Sequence, residues 1–164
     1  MLKEIIEKKR YSFHQGFDNW EDAVKAACTP LVLQKAIEEE YSDLIIQSIK
    51  KHDPYIVIAP KIDIPHVQEG KAVNETSICF MKTNTHVSFG DSEEYDAQLF
   101  FVLASVDNEV HLKNLMKMVE LISDEEVVDK LLNAKSVEDL KNSILLFFIF
   151  IRNSKICEKD DKFY

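Results

Sequence analysis

The chain has 164 residues, a net charge of −9 at pH 7 and a pI near 5.0, a length that suits one domain burying about 70% of the surface its unfolded form exposes. That acidity argues against a nucleic-acid partner, since phosphate binding needs a basic face and the one basic cluster, Lys8-Lys9-Arg10, is too short to make one. With glycine only at positions 16, 70 and 90, neither a phosphate-cradling loop nor a dinucleotide fingerprint can be built, and Cys28, Cys79 and Cys157 lie too far apart for a disulfide framework or a Cys-x-x-Cys pair.

In chain order, Leu2, Ile5 and Ile6 open a short helix over 2–9, and the mixed polarity of Tyr11 to Phe17 with Gly16 predicts a loop. Asp18 or Asn19 caps a second helix through Trp20, Ala23, Val24 and Ala27. Thr29-Pro30 should end or kink it, with Leu31 to Leu33 continuing as another turn. From Lys35 to Lys51, Ile37, Tyr41, Leu44, Ile45 and Ile49 repeat at helical spacing, leaving Glu38, Glu39 and Asp43 in water.

Pro54 to Gly70, reading PYIVIAPKIDIPHVQEG, holds three of the four prolines and is the candidate active site. Tyr55 to Ile58 is β-branched and apolar on both faces, which predicts an interior strand. Pro60 and Pro65 lack amide hydrogens and push their predecessors towards extended backbone, arguing against a helix or a regular ladder between them. His66 thus leaves the sheet on a stiff loop, a common way to present a reactive side chain.

Downstream, Glu75 to Lys82 reads as a strand with Ile78 and Phe80 on one face and Cys79 and Met81 on the other. Phe89-Gly90-Asp91 marks a turn, and Ala97 to Ala104 reads as a second interior strand, polar only at Gln98. Asp107 or Asn108 caps a helix whose inward face carries His111, Leu115, Met118, Val119 and Ile122. A helix from Ser123 to Asn133 follows, then a Ser136-Val137-Glu138-Asp139 capping box opening the last one, and residues 152–164 form a frayed tail. The order of elements predicts an α/β fold with a mixed sheet of four to five strands flanked by helices, one domain over 1–164. The charged start and the short apolar run Ile144 to Ile151 predict a cytoplasmic protein without membrane insertion. His14, His52 and His86 carry no His-x-x-x-His spacing, so no metal is expected.

Three segments together resemble a known family. Pro54-Tyr55-Ile56-Val57-Ile58-Ala59-Pro60 leads into Ile64-Pro65-His66. Leu103-Ala104 precedes a His111-Leu112-x-x-Leu115 helix start, and Ser136-Val137-Glu138-Asp139-Leu140 follows. This pattern is similar to the mannitol/fructose-type enzyme IIA of the bacterial phosphoenolpyruvate-dependent sugar phosphotransferase system, most like the ascorbate branch. The resemblance implies that His66 accepts a phosphoryl group from the histidine phosphocarrier protein and hands it to a cysteine of enzyme IIB, and that His111 assists. It implies no cofactor and only an indirect link to the membrane enzyme IIC. Two positions depart from the family pattern: Asp63 stands where a small apolar residue is usual, and Val67-Gln68 replaces Ala-Arg. Asp63 either orients the imidazole of His66 or points to solvent, and beside a phosphoryl group it would oppose phosphorylation. The alternative is a regulatory module that keeps the fold and signals by phosphorylation without serving transport.

Overall fold

A computed structural model describes residues 1–52, 57–67 and 71–143. The expectations for Tyr55-Ile56, for the Ile144–Ile151 run and for the tail from 152 fall outside the described residues. Five strands, β1 (Tyr11–His14), β2 (Val57–Ala59), β3 (Lys61–Asp63), β4 (Ser77–Ser88) and β5 (Asp96–Ala104), form one mixed sheet in the order β1-β4-β5-β3-β2. Among the described residues the helices are α1 (Leu2–Glu7), α2 (Trp20–Leu33), α3 (Glu40–His52), α4 (Asn108–Ile122) and α5 (Glu125–Asn133), and residues 137–143 are also helical. The expected α/β architecture with four to five strands is thus observed.

Both faces of the sheet are covered. On one, Ala23, Val24, Ala27, Leu31, Tyr41, Ile45 and Ile49 of α2 and α3 pack on Cys79, Met81, Phe100 and Val102. On the other, Leu2, Ile5, Met118, Leu121, Val127, Leu131 and Leu140 pack on Ile62, Ile64, Ile78, Phe80, Leu99, Phe101 and Leu103. The alternation expected along β4 therefore holds, with Ile78 and Phe80 facing one layer and Cys79 and Met81 the other. Consecutive Phe100 and Phe101 on the central strand anchor opposite layers, each such ring contributing roughly 1.5–3 kcal/mol by burial. The polar exception Gln98 is the extra residue of a bulge. Ala97 pairs with Lys61 and Leu99 with Ile62, so Gln98 has no partner in that register, and its side-chain amide donates instead to the carbonyls of Thr83 and Asn84.

Several boundaries differ from the sequence reading. Tyr11–His14 is a strand, paired in parallel with Phe80 to Thr83 of β4, where a loop was expected. The chain between Pro60 and Pro65 does enter the ladder, because β3 bonds β5 on one side and β2 on the other. Pro60 and Lys61 make the tight connection, Lys61 taking the left-handed conformation at φ 67° that follows proline in a type II turn. β2 lies at the edge of the sheet instead of its middle, and Ile58 is 39% exposed. α2 runs through Pro30 to Leu33, losing only the hydrogen bond a proline cannot donate. Val119 is 47% exposed and Leu121 is buried in its place, since Val119 follows inward-facing Met118 by about 100° of helical turn.

The third helix starts at Glu40, not Lys35, because Lys35 ends α2. Lys35 adopts φ 58°, with Ala36 N–H bonding Leu31 O and Lys35 N–H bonding Val32 O; Lys9 closes α1 the same way at φ 54°, with Arg10 N–H on Ile5 O. These are Schellman caps with lysine where glycine is usual. Ile37 then forms a bridge with Val73 instead of a helical turn. Since the left-handed conformation penalises a Cβ, Lys35→Gly is expected to stabilise the fold by about 0.5–1 kcal/mol, read as a higher urea midpoint at unchanged m-value.

Candidate functional site

The two histidines singled out from sequence come together at the carboxyl end of β3. His66 lies three residues beyond that strand and His111 sits in the first turn of α4, with ring centroids 5.2 Å apart and planes inclined by 36°. Asp107, not Asn108, caps α4, its carboxylate accepting from Val110 N–H. His111 N–H bonds Asp107 O, which seats the imidazole on the buried side of the helix, 8% exposed. The Asp107 carboxylate and Glu109 both stand at this helix start, so the positive end of the dipole is already offset there.

Nδ1 of His66 lies 2.7 Å from the carbonyl oxygen of Ile64. A carbonyl only accepts, so Nδ1 carries the proton and the lone pair of the neutral ring is on Nε2. Burial holds His66 below the ordinary imidazole range, partly opposed by the bond to Ile64. His111 is lowered too, first by burial and then by the charge His66 would carry. Both rings are therefore neutral near pH 7.

Asp63 overturns both roles considered for it. It is fully buried, so it does not point to solvent, and neither carboxylate oxygen has a hydrogen-bond partner, so it does not orient His66. In strand alternation it faces away from Ile62 and Ile64, towards the α2 layer, where its charge pushes the Cys28 thiol up after burial has done so. Desolvation raises Asp63 well above the usual carboxylate range, opposed weakly by the Ile64 amide, which lies near without making a hydrogen bond of good geometry.

Sequence reasoning missed the backbone around His66. The carbonyl of Pro65 accepts from Leu103 N–H at 3.1 Å, and Val67 N–H donates to the Tyr41 hydroxyl at 3.4 Å. Tyr41 had signalled only a core helix face, although a buried tyrosine hydroxyl needs a partner. His14, His52 and His86 lie on β1, α3 and β4, away from this pair. Among the described residues no three of His, Cys, Asp and Glu gather to hold a metal ion, and no helix is long and apolar enough to cross a membrane.

The profile of the family described as phosphoenolpyruvate-dependent sugar phosphotransferase system, EIIA 2, matches residues 4–146. The chain belongs to that family. An ascorbate-specific phosphotransferase-system EIIA component of Shigella boydii is 26% identical over 141 residues, covering 85% of this chain and 92% of its own. Its counterpart in Escherichia coli K12 is 25% identical over the same length. In fold, the enzyme IIA resembles the mannitol-specific cryptic phosphotransferase enzyme IIA of E. coli, with a TM-score of 0.77 over 87% of this chain and 97% of that one at 23% identity. It also resembles the mannitol IIA solved in complex with phosphorylated IIB from the same organism, with a TM-score of 0.71 over 84% and 94% at 22% identity. The protein is thus a sugar phosphotransferase-system component, and phosphoryl transfer is its activity.

Proposed function

We propose that His66 accepts a phosphoryl group on Nε2 from the phosphohistidine of the histidine phosphocarrier protein and passes it to a cysteine of enzyme IIB, in a system that imports ascorbate. The observation that carries this reading is the 2.7 Å bond from Nδ1 to Ile64 O, which fixes the tautomer and leaves the nucleophilic lone pair on Nε2. In the first transfer the Nε2 lone pair bonds to phosphorus as the carrier's P–N bond breaks and returns its electrons to the carrier's ring. In the second, the cysteine thiolate takes the same phosphorus and Nε2 leaves. Neither step requires a nucleotide or a metal. The protein supplies position and charge stabilisation more than bond-making chemistry, and His111, 5.2 Å away between ring centroids, is the assisting group.

The ascorbate assignment rests on the two ascorbate-specific relatives and on the Pro54 to Pro60 pattern. Of the two departures that motivated a regulatory role, Asp63 and the arginine missing at Val67-Gln68, the first loses its force, because Asp63 is buried near Cys28 with neither oxygen bonded to the acceptor ring, and transport is favoured on that ground. Partners dock on the side of α4 that leaves the sheet, where Leu112, Met116 and Val119 are exposed at helical spacing, one residue on from His111. An apolar patch with a polar rim suits transient association.

Incubation with phosphoenolpyruvate, enzyme I and the phosphocarrier is expected to add one acid-labile phosphoryl group per chain, and none to His66→Ala. Because the His66 pKa is lowered, the labelling rate should fall at a lower pH than it would for an ordinary imidazole, which is half protonated near pH 6.5. An unlabelled parent chain sinks the proposal. Onward transfer to an ascorbate-type enzyme IIB, compared with a mannitol-type one, tests the substrate assignment.

A further inference from the structure

The hydrogen bonds on either side of His66 form a ladder with one rung altered. In the parallel β3–β5 pairing Ile62 stands opposite Leu99 and Asp63 opposite Phe100, and the same register carried three residues further puts His66 opposite Leu103. A parallel ladder at that point needs two bonds, from Leu103 N–H to the residue before His66 and from the residue after His66 to Leu103 O. The first is present as a direct bond to Pro65 O at 3.1 Å. The second is interrupted. Val67 N–H donates to the hydroxyl of Tyr41, and that hydroxyl donates to Leu103 O at 2.7 Å.

We infer that Tyr41 is a positioning residue for His66, its hydroxyl inserted as a spacer into the last rung of the β3–β5 ladder. The side chain is fully buried, and its ring is part of the core between α3 and the sheet, so the hydroxyl is held in place by packing. With a direct bond of about 2.9 Å in that position, Val67 would be drawn against β5 and His66 would continue the strand. The inserted oxygen holds the chain off β5 immediately after His66, where the imidazole turns back two residues to place Nδ1 on Ile64 O. The hydroxyl both donates and accepts, so it satisfies Leu103 O and Val67 N–H while keeping them apart. Phenylalanine fills the same core volume and can do neither.

The consequence for phosphoryl transfer rests on the acceptor reading of His66, but the placement of the ring does not, and two separate measurements address them. In Tyr41→Phe, nitrogen-15 NMR of the histidine rings is expected to show His66 changing from a single Nδ1–H tautomer to a mixture as the loop relaxes. Labelling by the phosphocarrier is expected to slow by about 10- to 100-fold, the scale of a misplaced reacting group. Ser42→Ala is the control, because it removes a hydroxyl bonded to Glu39 O on the next residue of the same helix; it should leave both the His66 tautomer and the labelling rate at parent values. Both variants are compared at least 15 °C below their unfolding midpoints, chosen from about 2–4 °C per kcal/mol for a chain of this size. A His66 tautomer unchanged in Tyr41→Phe overturns the inference whatever the rate does, and so does an equal loss in Ser42→Ala. A parent chain that takes no label counts against the acceptor reading, while the tautomer result still decides the placement.

Discussion

Asp63→Asn is more stable than the parent protein, and its advantage grows as the pH is raised from 4 to 8. The carboxyl is fully buried beside Cys28 with neither oxygen hydrogen-bonded, and desolvation raises its pKa well above the ordinary value. In the unfolded chain the same group ionises near pH 3.9. A carboxyl with a raised folded pKa favours the native state fully below the unfolded value. That contribution is lost as the pH climbs towards the folded pKa, because the unfolded state gives up its proton first. Each unit of difference between the two is worth about 1.4 kcal/mol, so the parent's stability declines across this range while an amide, which does not ionise, holds level. Asp63→Ala also removes the unpaired polar atoms, whose burial costs about 1–3 kcal/mol, and should match or exceed the asparagine variant at pH 8. Urea titrations of the three proteins at pH 4, 6 and 8 decide the matter: parallel stability curves would mean that the carboxyl has a partner or solvent access after all.

The error over Asp63 shows what a single strand can and cannot reveal. The prolines around it argued against a ladder, so no face was assigned to it, and whether the face opposite Ile62 and Ile64 is solvent or a second helix layer depends on α2, some thirty residues earlier in the chain. The same distinction explains the other outcomes. The caps were legible to within one residue, Asn19 from the pair Asp18 or Asn19 and Asp107 from the pair Asp107 or Asn108, because a cap is a bond between a side chain and an amide three residues on. The reciprocal bonds of Ser136 and Asp139 were legible for the same reason. Strand β1 was not, since Tyr11 to His14 becomes a strand only by pairing with Phe80 to Thr83. His66 stood out by its prolines, whereas the cap placed His111 only in the first turn of its helix and its pairing with His66 was implied by the family resemblance alone. The carbonyl that selects the tautomer of His66 could not be found, because every residue has one and only the folded loop decides which it meets. Tyr41 lies between these cases. Its helical spacing marked it as core, yet nothing local says that its hydroxyl would reach Leu103 and Val67, distant in the chain.

Phosphorylation of His66 is expected to convert His111 from a neutral ring to an imidazolium, and His111→Ala is expected to slow labelling by about 100-fold, the scale on which removing one stabilising donor acts. In the unphosphorylated protein, burial and the proximity of His66 both hold the His111 pKa down. A phosphoryl group on Nε2 reverses the second influence. It brings a charge between about −1.5 and −2 close to a ring whose centroid is 5.2 Å from that of His66. One unit charge at about 5 Å and an effective dielectric of about 20 is worth about 3 kcal/mol, acting against the desolvation penalty on a ring that retains 8% exposure. The transfer should therefore draw protons from solution near neutral pH, up to one per chain, measurable as uptake in weakly buffered solution in step with labelling. His111→Gln, which keeps a donor but cannot ionise, separates the two parts of the argument: it should recover part of the rate lost in His111→Ala while abolishing the proton uptake. A His111→Ala protein that labels within twofold of the parent would reduce His111 to a packing residue at the start of α4.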